Sequence, residues 1–199
     1  MKGTMSLLNL VIVVLALFLL SSTTIISDNV SKCPSVHKDK ETACREAIGG
    51  TRGIMYKLCI NTLRSRFNGS THELAEYAHA SAQQARHSFY HTITIITGEL
   101  MHNSSLSSKE RAAYIGCLNE TMYRNAVDCM DNIIALLPKN CTRLADKYTQ
   151  ADFAMSQCNK ALWKLSSSPT SVLLMNFIDQ IYNIVAYSLY LDLVGGDSS

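Results

Sequence analysis

Two pairs of cysteines stand at equal distances on either side of a bend. Cys44 and Cys59 have their midpoint between Thr51 and Arg52, inside a turn marked by Gly49, Gly50 and Gly53. Cys117 and Cys158 have theirs between Leu137 and Pro138, where a proline ends any helix that precedes it. In an antiparallel helical hairpin, residues that face each other across the seam lie equally far from the turn. The pairings Cys44–Cys59 and Cys117–Cys158 therefore predict helices running into and out of each bend. Helix rises about 30 Å in twenty residues, so only a partner similarly far down the returning helix can face Cys117, and Cys158 is that far. Cys129–Cys141 fails the same test. On a continuous helix Cys129 lies about 12 Å before Leu137, whereas Cys141 sits at the apex. Cα atoms more than about 7 Å apart are not bridged without movement, so this pairing needs a helix that ends early. A clamp on a loop as short as Cys44–Cys59 contributes about 3 kcal/mol in the chain-entropy model.

The chain has seven cysteines, so at least one stays free or bonds another chain. Cys33, Cys129 and Cys141 remain after the two clamps. A buried thiol at Cys129 and a loose one at Cys33 is the preferred arrangement, since free cysteine packs as a small hydrophobe. A Cys33–Cys141 bond is the open alternative.

Helix signals fill the space between the cysteines. Ser70-Thr71-His72-Glu73 reads as a capping box opening a helix to about His102, with Leu74, Ala78, Ser81, Ala85, Ser88, Thr92, Ile95 and Leu100 at helical spacing. Many of these are small, which lets a neighbouring helix come close. Ser107-Ser108-Lys109-Glu110 is a second box, predicting a helix through Leu118, Met122, Met130 and Ile133 to Leu137. A third helix is expected from Cys141 or Thr142 to about Leu165. A fourth starts at Ser168-Pro169, with serine as the cap and proline at the first helical position, and ends near Gly195. The predicted fold is all-α: an antiparallel four-helix bundle over 70–195, preceded by a short disulfide-clamped helical hairpin over 38–67.

The N-terminus says where such a chain works. Lys2 precedes the run Leu7–Leu20, apolar apart from Asn9, and then Ser21 to Thr24, Ile25, Ile26 and Ser27, the pattern of a secretory signal peptide over 1–27. The run is shorter than the roughly 20 apolar residues of a spanning helix. A single domain at 28–199 follows, with no membrane attachment expected once the leader is cleaved. Export makes disulfides the natural reading of the cysteines. It also gives meaning to the glycosylation sequons at Asn29, Asn68, Asn103, Asn119 and Asn140. Asn68 and Asn103 fall in predicted connections, whereas Asn119 falls mid-helix beside a proposed bridge. A formal net charge of +2 without a basic run excludes nucleic acid as the expected partner.

Catalytic chemistry is sparse. His87 and His91 lie one helical turn apart, a zinc-compatible spacing, but neither the metalloprotease glutamate nor a third ligand accompanies them. No metal and no cofactor are expected. His72, His79 and His102 lie on the same predicted helix, so a partner surface there would bind with a pH dependence between about 5 and 7. No serine nucleophile elbow and no cysteine–histidine arrangement stands out. Glu73, Glu76, Glu99, Glu110 and Glu120 read as capping or surface groups. The methionines and aromatics at helical spacing read as core; Trp163, near a helix end, is either core lining, the preferred reading, or an interface anchor.

Leader, clamped hairpin and bridged bundle together resemble the plant invertase and pectin methylesterase inhibitor family. In residues, Cys44 followed by Tyr56-Lys57-Leu58-Cys59 and Leu63 is similar to the family's N-terminal block. Cys117, Tyr123 to Asp128, Ala151 and Cys158 are similar to its middle block, and Asn183 to Leu193, with Ala186 and Leu189, to its closing helix. The resemblance covers about 42–194. Tyr123 stands further from Cys117 than the family spacing, which marks a local insertion. Cys33, Cys129 and Cys141 lie outside the family pattern. The Pro-Lys-Phe segment associated with invertase inhibitors has its nearest match in Pro138-Lys139-Asn140, which lacks the aromatic residue. The resemblance implies a secreted inhibitor without catalysis of its own. It would act in the apoplast on a pectin methylesterase by preference, with acid invertase as the second target. A non-inhibitory signalling or structural bundle is the rival reading, and a zinc enzyme built on His87 and His91 a further one.

Overall fold

The computed structural model describes residues 32–165 and 171–195. The leader, Asn29 and the Ser168-Pro169 helix start lie outside the described residues. Seven helices and one small ladder are found among those described.

The hairpin comes first. Strand β1 (His37–Asp39) leads into α1 (Lys40–Ile48), whose first turn is capped by the Asp39 carboxylate accepting from the Thr42 amide at 2.8 Å. The helix stops at Gly49, which takes a left-handed conformation at φ 71° that a side chain would disfavour. Helix α2 (Ile54–Arg66) returns, and a disulfide joins Cys44 to Cys59 with their Cα atoms 5.8 Å apart. Both cysteines are fully buried.

Strand β2 (Thr71–Glu73) pairs antiparallel with β1, in the register His37 with Glu73 and Asp39 with Thr71. This corrects the sequence reading of a capping box at Ser70. Those residues are extended, and α3 (Leu74–His102) begins after them with no side-chain cap. The Leu74 amide donates to the Val36 carbonyl at 2.7 Å, so the N-terminal segment satisfies one of the free donors in the first turn of the helix.

The second box forms in full. Ser107 and Glu110 cap each other reciprocally at the start of α4 (Ser108–Cys117). The long helix predicted from there to Leu137 is broken, however, and α5 (Tyr123–Leu136) starts afresh. At the elbow the Asn119 Oδ1 accepts from the Thr121 amide at 3.0 Å and from its hydroxyl at 2.8 Å. An asparagine that bonds backbone two residues ahead competes with the helix, and here it wins. The extended spacing from Cys117 to Tyr123 is this elbow.

Helix α6 (Ala145–Trp163) starts later than expected because the segment before it is tied elsewhere. Asn140 closes a similar turn onto Thr142, and Cys141 is bonded to Cys33 with Cα atoms 5.0 Å apart. Cys33 is thus not loose; it pins the N-terminal segment to the α5–α6 connection, while Cys129 is a free, buried thiol. A third bridge, Cys117–Cys158, joins α4 to α6 with Cα atoms 4.9 Å apart. Trp163 is not core. Its neighbour Leu162 takes the buried side at the end of α6, and the indole, one residue further round, is 68% exposed.

Helix α7 (Ser171–Gly195) completes the bundle. It packs against α3 and α6, and α5 closes the square by packing against the same two, so α5 and α7 occupy opposite corners. The hairpin lies on α7 and α3, fastened by Lys38, which pairs with Asp192 and Glu46, both at 2.8 Å. By length and apolarity α7 would cross a bilayer, yet half of its apolar window is buried within the protein.

Candidate functional site

Helix α7 buries polar side chains within an otherwise apolar face. Its polar side chains Asn176, Asp179 and Asn183 are at most 1% exposed, while Leu174, Phe177, Ile184 and Leu191 are 42–54% exposed. Positions 176, 179 and 183 share one helical face, and the spacing of 177, 184 and 191 puts those three on another.

The inner polar face ties the four rods together. Tyr123 on α5 donates its hydroxyl to Asp179 Oδ2 at 2.6 Å, and Ser88 on α3 donates to Asp179 Oδ1. The Asn176 amide donates to the Tyr123 hydroxyl at 3.0 Å and to the Met155 carbonyl of α6 at 3.2 Å. One turn further on, Asn183 donates to the Tyr148 carbonyl, and the Tyr148 ring stacks on Tyr187. Burial raises the Asp179 carboxyl above its ordinary range, although the Ser88 and Tyr123 hydroxyls and the charge of His91 pull the other way. The Tyr123 phenol is pushed well above its usual range by burial and then by the Asp179 charge. No cation pairs with Asp179 among the described residues, and the knot is sealed from solvent. It therefore serves register and stability rather than chemistry on a substrate.

The outer face of α7 is the opposite. Between Ser171 and Leu191 the only acidic or basic side chain is Asp179, which points inward, so the exposed stripe carries no charge. From Phe177 to Leu191 it runs about 21 Å. A row of exposed apolar side chains along one uncharged helix face is a candidate for contact with a partner.

A second surface lies on another side of the square. A cleft of about 590 Å³ opens between α3 and α5 at the elbow, with Tyr90, Ile93, Leu118 and Val127 as apolar lining and Glu120, Arg124 and Asp128 as charged lining. Arg86 crosses from α3 to pair with Asp131 on α5, and its guanidinium lies 5.0 Å from the centre of the Tyr90 ring. Arg124 makes no ion pair among the described residues. The cleft offers polar and stacking contacts but no nucleophile with a neighbouring base.

The histidines differ in their surroundings. His87 and His91 are exposed, and no group of three or more potential metal ligands occurs among the described residues. His72 lies 2.8 Å from the Asn68 carbonyl and 3.4 Å from Glu76, and His79 is half-buried, its pKa pushed down by desolvation. The sequons also separate. Asn68 and Asn119 are exposed, whereas Asn103 and Asn140 are half-buried. Asn119 is in the elbow and not mid-helix. Pro138-Lys139-Asn140 forms part of the tied connection before Cys141. Sequence reasoning missed the α7 polar face, although three polar residues on one face of an apolar helix were a readable signal.

No family model matches the chain, and no curated protein matches it in sequence. Solved structures do share its fold. A mutant form of a pectin methylesterase inhibitor from Arabidopsis superposes with a TM-score of 0.59 at 14% identity, over 78% of this chain and 97% of that one. A pectin methylesterase inhibitor from Arabidopsis thaliana gives a TM-score of 0.55 at 15% identity, over 77% and 95% of the two chains.

Proposed function

We propose that this protein is a secreted inhibitor, without catalysis of its own, that binds a plant cell-wall carbohydrate-active enzyme, with pectin methylesterase as the preferred target. The observation that carries the reading is the shared fold with solved pectin methylesterase inhibitors, which spans 78% of this chain and 97% of one of them. Three disulfides support an oxidising, extracellular setting. Physically, a bridged bundle presents a surface that is already ordered, so less entropy is lost on association. The outer face of α7 is the surface we assign to the enzyme, since it is apolar, uncharged and unpartnered. Acid invertase is the second target, and Pro138-Lys139-Asn140, without an aromatic residue, speaks against it.

The test mixes the oxidised mature protein with a pectin methylesterase and, separately, with an acid invertase across mildly acidic pH. Saturable loss of methylesterase activity is the expected result. Loss of invertase activity alone transfers the assignment to the second target. If neither enzyme responds, the inhibitor reading fails and a non-inhibitory bundle takes its place.

A further inference from the structure

We infer that Asn119 carries an N-linked glycan, and that this sugar stands at the mouth of the α3–α5 cleft. The inference rests on the secretory reading above.

Three described sequons close the same turn, with the hydroxyl of the third residue bonded to the asparagine oxygen. The distances are 2.6 Å for Ser105 onto Asn103, 2.8 Å for Thr121 onto Asn119 and 2.6 Å for Thr142 onto Asn140. Each bond spans two residues, so the turn itself is local, and what separates the three is how the folded chain presents them. The amide nitrogens distinguish them. The Asn103 Nδ2 is engaged with Glu99 Oε2 at 2.8 Å, and that residue is half-buried. Asn140 is half-buried as well, and the middle residue of its sequon, Cys141, is bonded to Cys33. Asn119 is exposed, and its Nδ2 has no partner among the described residues. Asn68 is exposed too, but among the described residues Ser70 makes no hydroxyl bond to it.

The chemistry is transfer from a lipid-linked pyrophosphate oligosaccharide. Asn119 Nδ2 forms a bond to C1 of the first sugar, the C1–oxygen bond breaks, and the pyrophosphate leaves with the electron pair. The Nδ2 proton passes to a base of the transferase. Leu118 and Glu120, on either side of Asn119, line the cleft, so a bulky hydrophilic group there occupies the cleft's approach. α5, which the elbow opens, lies at the corner opposite α7, so the sugar and the uncharged α7 stripe do not compete.

The experiment expresses the full chain in a plant secretory host and maps each asparagine of the secreted protein by mass spectrometry after enzymatic deglycosylation in heavy-oxygen water. Asn119 should be found converted to labelled aspartate in most molecules. Asn119→Gln and Thr121→Ala should each remove one glycan from the intact mass, while Thr121→Ser keeps it. Secreted, oxidised protein with a bare Asn119, or with sugar at Asn103 or Asn140 in its place, overturns the inference and leaves the secretory reading standing. Protein held inside the cell with reduced cysteines removes both.

Discussion

The two faces of α7 are both largely apolar and differ in where the polar groups lie, for the buried face holds three of them among Val172, Ile181, Val185, Ala186 and Leu189. Inside lie Asn176, Asp179 and Asn183; outside lie Phe177, Ile184 and Leu191. Burying polar groups costs free energy unless they are hydrogen-bonded, and at Asp179 both oxygens are. The return on that cost is a fixed register, because Ser88, Tyr123 and the Met155 carbonyl reach their partners in one alignment of the four rods. The outer face makes no such bonds and is free of charge, which leaves it suited to another surface. One face specifies the fold and the other is left over for function.

Several measurements would break that division or sharpen it. The largest effect is expected at Asp179. Asp179→Ala leaves the Ser88 and Tyr123 hydroxyls buried without their acceptor and should cost about 3 kcal/mol or more in denaturant unfolding. A loss under about 1 kcal/mol would mean that water or repacking satisfies the knot and that it does not set register. Next comes the hairpin clamp: replacing Cys44 and Cys59 together by serine should destabilise by about 3 kcal/mol, a loop-closure effect independent of α7. Outside, Ile184→Glu should shift the unfolding midpoint little. In inhibition assays it should raise the half-inhibitory concentration about tenfold, equivalent to roughly 1.4 kcal/mol. Arg124→Glu in the cleft is the matched control, and an equal loss there would move the docking face away from α7.

The smallest expected effect is in pH dependence. A carboxyl whose folded pKa is raised binds its proton more tightly in the native state. Its contribution to stability is fully present below the unfolded value, about 3.9, and is lost as pH rises through the folded value. His79 acts in the opposite sense, since its lowered pKa favours the native state above its ordinary value and costs stability as pH falls. The difference between wild type and Asp179→Asn isolates the carboxyl. Relative to that variant, the wild type should gain stability on moving from neutral toward acidic pH. A difference that does not change with pH would show that Asp179 keeps an ordinary pKa in the knot.

Much of this molecule can be read along the chain, and the parts that cannot share a cause. The hairpin was legible because Gly49, Gly50 and Gly53 mark one short turn and Cys44 and Cys59 stand at equal distances from it. The Ser107–Glu110 box formed because it too is local. The Ser70 box did not, because residues far earlier in the chain pair with that segment. Trp163 was misassigned because apolar bulk does not say which way a side chain points at a helix end.

By itself the sequence determined a mainly helical chain, the bends at the two clamps and the capping of α4, since these follow from local hydrogen bonding and periodicity. Only the tertiary structure decided that Cys33 meets Cys141, which groups on the other helices bond Asn176, Asp179 and Asn183, and that α5 and α7 stand at opposite corners. Those outcomes depend on which surfaces meet across long stretches of chain, and no local preference encodes such a meeting.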